Sequence, residues 1–259
     1  MAGLTTVGQP RSTAVVYLWG FINAIRAAAV FTDKDNPKIR IEFVPERNHV
    51  VVTAMTVGQL AAVTVEASWI KLSTDEDACI ELTGAQVKEL RMLFPFRSVK
   101  DVDLEDQPIL AIELTDFRAF FYDATGLDLH LYRHQVPRGE LEVAPSIAKV
   151  ITAHEDRQRV TSGVLEPVMM KNIFSACTIL KKHPDVHFLA TQDKWVTTKA
   201  LTYAGDLRVL STVMHDDDRD GKLDAKPGET PSPELDAEEA TGSSAGTRLV
   251  TARPPQGVA

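Results

Sequence analysis

The sequence predicts an α+β protein made of repeated units, each a helix followed by an antiparallel meander, with a disordered tail at the C-terminus. Three observations carry this reading. Helix-period apolar spacing gives way to strand-period alternation three times along the chain. The composition, 44% hydrophobic and 25% charged over 259 residues, allows a sizeable core without disulfides or metal. Residues 216–259 break the pattern: they carry Pro227, Pro231, Pro233, Pro254, Pro255, the run Gly242-Ser243-Ser244 and no aromatic residue. Such a segment cannot bury enough apolar surface to offset its ordering entropy.

The first unit opens with a helical stretch, Val15 to Val30, in which Leu18, Phe21, Ile22, Ile25 and Ala29 fall at helical spacing. Alternation over Ile39 to Phe43 predicts a strand, Pro45 to Asn48 a turn, and Val50 to Ala54 and Leu60 to Ala67 two further strands. The second unit starts with the strand Cys79 to Leu82. Thr83 is placed to cap a helix from Gly84 to Phe94 that buries Val87, Leu90 and Leu93. Strands follow at Ile109 to Leu114, Ala119 to Asp123 and Leu127 to Leu131.

Pro137, Gly139 and Pro145 then interrupt the pattern, so 135–145 reads as an interdomain connector between a first domain, 1–134, and a second, 146–215. In the second, Ser146 to His154 reads as a helix. Leu165 to Lys182 is a longer helix with Met169, Ile173, Ala176 and Leu180 on one face. His187 to Ala190, Trp195 to Leu201 and Leu207 to Met214 are its strands.

The net charge is −8, but the tail alone holds ten acids and five bases, which leaves the rest of the chain nearly neutral and able to carry a local basic face. Cations sit on or beside every predicted helix: Arg26 and Lys34 on the first, Lys88 and Arg91 on the second, Lys149, Arg157 and Arg159 on the third, Lys171, Lys181 and Lys182 on the fourth. Solvated amphipathic faces account for many of them. Brought onto one surface, they would touch phosphates without reading bases.

Few catalytic motifs compete with this. There is no GxxxxGK[ST] and no GxGxxG, and the GxSxG match at Gly242 to Gly246 lies in the polar tail, away from any strand-to-helix elbow. Pro184 separates His183 from His187, so they do not form a helical zinc pair. The acidic run Asp101, Asp103, Glu105 and Asp106 reads as a solvated turn, with magnesium as the alternative. Asp216, Asp218 and Asp220 occupy the first positions of a calcium loop, but Pro227 stands where its bidentate Glu belongs. No cofactor is expected, and the chain is read as non-enzymatic.

Cys79 and Cys177, 98 positions apart in apolar stretches, read as buried thiols of a cytoplasmic protein. The apolar run Ala14 to Phe31 is interrupted by Asn23 and Arg26 and lacks a charged leader, so neither a signal peptide nor a membrane span is expected.

Together these features resemble the DNA sliding clamps, the processivity factors that include bacterial beta clamps, PCNA-like rings and phage counterparts; a phage-type member fits best. The resemblance covers about residues 12–215. It is carried by Phe21-Ile22-Asn23-Ala24-Ile25 ahead of Ile39 to Thr53, by Ile80-Glu81-Leu82-Thr83-Gly84-Ala85-Gln86-Val87-Lys88-Glu89-Leu90, and by the final strand Leu207 to Met214. It implies self-association into a ring whose helix cations face sequence-independent duplex DNA. It also implies a DNA polymerase and a clamp loader as partners. A partner peptide would enter a pocket at Leu141, Val143, Val213 and Met214. The chain departs from the family in having three modules where two-domain clamps have four and bacterial clamps six. Pro145 to Gly163 would then be a unit that kept its helix and lost its strands. The alternative is a calcium- or small-ligand-binding regulatory module with an open sheet.

Overall fold

The computed structural model describes residues 12–35, 37–73, 78–94, 107–125, 133–138, 146–157, 159–160, 163–190 and 197–213. The chain begins with strand β1 (Ser12–Tyr17), which runs straight into helix α1 (Leu18–Ala28). A short 3-10 turn, Ala29–Phe31, leads to the meander β2 (Lys38–Val44), β3 (His49–Thr56) and β4 (Gln59–Lys71). The second unit has β5 (Cys79–Thr83), α2 (Gly84–Leu93), β6 (Ile109–Leu114), β7 (Arg118–Asp123) and β8 (His134–Pro137). Helix α3 (Ile147–Thr152) and the two-residue β9 (Arg159–Val160) come next. Helix α4 (Pro167–Leu180) then leads to β10 (Asp185–Ala190), β11 (Thr197–Ala204) and β12 (Leu207–Thr212).

The strands follow the order β8-β7-β6-β1-β4-β12-β11-β10-β9, with β3, β2 and β5 branching from β4. The first two units exchange their leading strands: β1 pairs with β6, and β5 pairs with β2. The last strand returns to the first unit, setting Leu210 opposite Leu60 and Leu207 opposite Val63.

Alternation along these strands sorts the core into two layers. Val50, Val52, Ala61, Val63, Ala200 and Val209 belong to the main core, into which α1, α2 and α4 pack. The intervening Val51, Ala62, Leu201 and Leu210 face the other way and form a second cluster with Ile151 of α3 and Leu189 of β10. Helix α3 therefore lies on the opposite face of the sheet from α1 and α4.

Several expectations need correction. Val15 to Tyr17 belong to a strand between β4 and β6 rather than to the first helix. A short β-branched apolar run has no periodicity to distinguish the two. Leu93 is 47% exposed, and its place in the core is taken by Phe94. Residues 135–137 of the expected connector are part of β8, paired with β7. The segment expected to have lost its strands keeps β9, on the edge of β10. Cys79 is half-buried, whereas Cys177 is buried; both are free thiols. The expected strand Leu127 to Leu131 and the tail 216–259 lie outside the described residues.

Thr83 caps α2 as expected and does so reciprocally. Its Oγ1 accepts from Gln86 N at 3.4 Å, and Gln86 Oε1 accepts from Thr83 N at 2.7 Å. Thr83→Ala should lower stability by about 1 kcal/mol, read from the urea midpoint.

Candidate nucleic-acid interface

Helix α4 is held against the sheet by a buried amide. Gln59, 1% exposed at the start of β4, donates from Nε2 to Met169 O (3.2 Å) and Ser211 Oγ (3.1 Å). Its Oε1 accepts from Asn172 Nδ2 at 2.9 Å. One side chain thus ties β4, β12 and the first turns of α4 together. The preceding Gly58 has φ +76°, and a Cβ there would run into Met169 Cε and approach Thr212 Oγ1 at 2.7 Å, so glycine is required twice over.

With Met169, Ile173, Ala176 and Cys177 turned inward, α4 presents Lys171, Phe174 and Thr178 outward, with Lys181 and Lys182 exposed at its C-terminal end. Lys181 takes the left-handed conformation that ends the helix, at φ 54°. Helix α1 is buried almost all round; Trp19, Asn23 and Arg26 lie along its least buried stripe, with Arg26 half-buried. Lys34 is exposed beyond the 3-10 turn. On α2, Lys88 and Arg91 are exposed and line a groove of about 190 Å³ shared with Ala29 and Thr32.

These seven cations lie on, or just beyond, helical elements that pack into the main core. The other three do not join them. Lys149 is exposed on α3, Arg157 half-buried just beyond it, and Arg159 exposed on β9. Around that second cluster the charges find local partners: Arg208 Nη1 meets Glu155 Oε1 at 3.1 Å, and His187 Nε2 meets Asp185 Oδ2 at 3.0 Å. His187 also packs edge-on to Tyr203, and burial, reinforced by Glu155, pushes the Tyr203 hydroxyl up. Helical spacing marks a solvated stripe but carries no information about which face of a sheet the helix covers.

Of the expected partner pocket, Val213 is described, and it is buried in the main core. Leu141, Val143 and Met214 lie outside the described residues, as do Asp216, Asp218, Asp220 and the acidic run Asp101 to Asp106. Among the described residues no group of three or more His, Cys, Asp or Glu could hold a metal ion. His134, on β8, meets Glu89 of α2 at 3.6 Å. Sequence reasoning passed over Phe174, 52% exposed between the α4 lysines; His183, weighed there only as half of a zinc pair, lines an open groove with Lys181 and Lys182. No helix among the described residues is long and apolar enough to cross a membrane.

Solved structures carry the same architecture. A DNA polymerase sliding clamp from Pseudomonas aeruginosa, crystallised with a ligand, superposes with a TM-score of 0.52 at 8% identity, over 83% of this chain and 69% of that one. The DNA polymerase III beta subunit from Thermotoga maritima also gives 0.52, at 11% identity, over 80% of this chain and 67% of that one. The fold is that of a sliding clamp. No family model matches the chain, and no curated protein matches it in sequence. At 8% and 11% identity, the likeness to these structures is one of fold.

Two outcomes test the supports of α4. Gln59→Leu strands Ser211 Oγ and Asn172 Nδ2 in the interior and should cost about 2–3 kcal/mol in urea unfolding. Burial also pushes the Cys177 thiol above its ordinary value of 9.0, so the folded chain keeps a proton that the unfolded chain releases. That stabilisation is complete below about pH 9 and lost as pH rises through the folded value. Cys177→Ala should therefore flatten the loss of stability measured as pH rises above about 9.

Proposed function

We propose that this chain is a non-enzymatic, ring-forming sliding clamp, acting in the cytoplasm of a bacterial or phage replication system, that encircles duplex DNA and tethers a DNA polymerase. The observation that carries the reading is the clamp fold with Arg26, Lys34, Lys88, Arg91, Lys171, Lys181 and Lys182 on helices, or their flanks, that pack into the main core. Lys149, Arg157 and Arg159 are left out of the DNA-facing set because α3 packs on the other face.

Contacts of this kind suit a sliding partner. Exposed lysines on helix surfaces attract phosphates through screened, sequence-independent attraction, so retention on DNA depends on ring topology rather than on tight binding. Among the described residues the strand path ends at β8 and β9, and ring closure between copies would cover backbone edges there. A polymerase and a clamp loader remain the proposed partners, with Val213, Leu141, Val143 and Met214 as the proposed peptide pocket. Because Val213 is buried in the main core, a peptide would engage its neighbours more than Val213 itself.

Negative-stain electron microscopy at micromolar concentration should show annular particles, and the protein should stay on closed circular DNA and be lost when that DNA is linearised. Compact particles without a hole would overturn the reading. Replacing Lys171, Lys181 and Lys182 together with Ala should reduce the slope of log K against log salt by about 2–3. The same replacement of Lys149, Arg157 and Arg159 should leave that slope unchanged.

A further inference from the structure

The last strand runs back along α4. The β11–β12 turn lies under the Lys182 stem, since a Cβ on Gly205 would stand 3.0 Å from Lys182 Cε. At the other end of β12, Thr212 Oγ1 meets Met169 Sδ at 4.0 Å, and Gln59 links Ser211 Oγ to the Met169 carbonyl. β12 therefore starts at the C-terminal end of α4 and finishes beside its first turn. The chain passes Val213 at the foot of the exposed stripe that carries Val168, Lys171 and Phe174.

The sequence beyond includes the acidic run Asp216-Asp217-Asp218-Arg219-Asp220. Connectivity bounds its position whatever path the chain takes. Asp216 is three residues past Val213 and Asp218 five, so their Cα atoms lie within about 11 Å and about 18 Å of it. Lys171 stands only about 3 Å further along the helix axis than Met169, the residue that Thr212 touches.

Charge selects the contact. From Pro167 to Leu180, α4 contains one base, Lys171, and no acid. Lys171 is exposed and makes no ion pair among the described residues. Lys181 and Lys182 begin about 18 Å along the axis from Met169, and Glu66 and Asp206 line the same groove as they do, which lowers their pull on a further acid.

We propose that Asp216, Asp217 and Asp218 fold back onto Lys171 and hold that part of the α4 stripe as an internal stand-in for phosphate. The docking lies within one chain and needs no ring; its consequence, that DNA must displace the run, rests on the clamp reading. A single exposed pair is weak, but three acids tethered this close meet the lysine at a high effective concentration. Such a contact also opens readily, as a surface that DNA is to take over requires.

Two experiments on the full-length protein test the proposal. Zero-length carbodiimide coupling of mixed isotope-labelled and unlabelled protein, read by peptide mass spectrometry, should join Asp216, Asp217 or Asp218 to Lys171 within one copy. That product should exceed coupling to Lys149, exposed on the opposite-face helix α3, at least about fivefold. It should fall away between about 0.1 M and about 0.5 M salt. Equal coupling to the two lysines, or coupling mainly between copies, would overturn the docking.

Replacing the three acids together, Asp216→Asn, Asp217→Asn and Asp218→Asn, should raise affinity for a short DNA duplex about tenfold at about 0.1 M salt. In a Lys171→Gln background the same replacement should raise it less than about twofold. A full gain in both backgrounds would mean repulsion at a distance and would sink the proposal, as would an unchanged affinity in a protein that binds DNA. If rings retain DNA but coupling shows no preference for Lys171, the proposal fails alone. If coupling prefers Lys171 but the particles have no hole and keep no DNA, the docking stands and the clamp reading fails.

Discussion

Strand β4 is the constraint on which the molecule depends. Over its thirteen residues it pairs with β3, with β12 and with β1, so the first unit, the last strand and the branch toward β6 all meet on one segment. Its two halves are written differently for that reason. Leu60-Ala61-Ala62-Val63 shows no alternation, because α1 and α4 cover one face there and α3 the other. From Thr64 to Ser68 the pattern becomes alternately buried and more exposed, because one face meets water. The alanines leave room for helices to approach the sheet closely on both sides, and larger residues at 61 and 62 would push one layer away.

The units were legible in the sequence because most of their elements lie on a single core with one solvated side. The β2 pattern of alternating burial from Lys38 to Val44 is what Ile39, Ile41 and Phe43 announce, and the Thr83–Gln86 pair marks the start of α2 without tertiary information. Legibility failed where tertiary contacts set the environment. β1 carries the apolar run of a helix because both of its edges are paired and its residues are largely buried. The strand-to-helix change at Leu18 is fixed by its N–H bonding to Pro108 O, ninety residues away. Sequence spacing has no access to such a partner.

The surface was less legible than the fold. Lys149, Arg157 and Arg159 carry the same local signal as Lys171, Lys181 and Lys182, yet α3 and α4 pack on opposite faces of one sheet. Ser146 caps α3 through Lys149 N and also donates to Glu42 Oε2 at 2.5 Å, which pins the helix to β2 on the far side. A clamp built to this plan therefore has a helix on its other sheet face, stapled by the Ile151 cluster, where it cannot share a surface with the α4 lysines. Charge on a helix says where water is, and only packing says which water.

The surface that carries Lys171, Lys181 and Lys182 mixes two chemistries, and their balance limits how strongly it attracts an anion. Phe174 and Val168 are 52% and 57% exposed on α4, interleaved with Lys171, so lysines occupy only part of the stripe that faces solvent. The N-terminal end of α1 and the C-terminal end of α4 border the same groove, so their opposed end charges partly cancel at short range. The field at that end is then set by Lys181 and Lys182 against Asp206 and Glu66. A surface so nearly balanced attracts a polyanion weakly and screens readily with salt. In the sliding clamp proposed above that weakness would be an advantage, because each phosphate contact must break before a ring can advance.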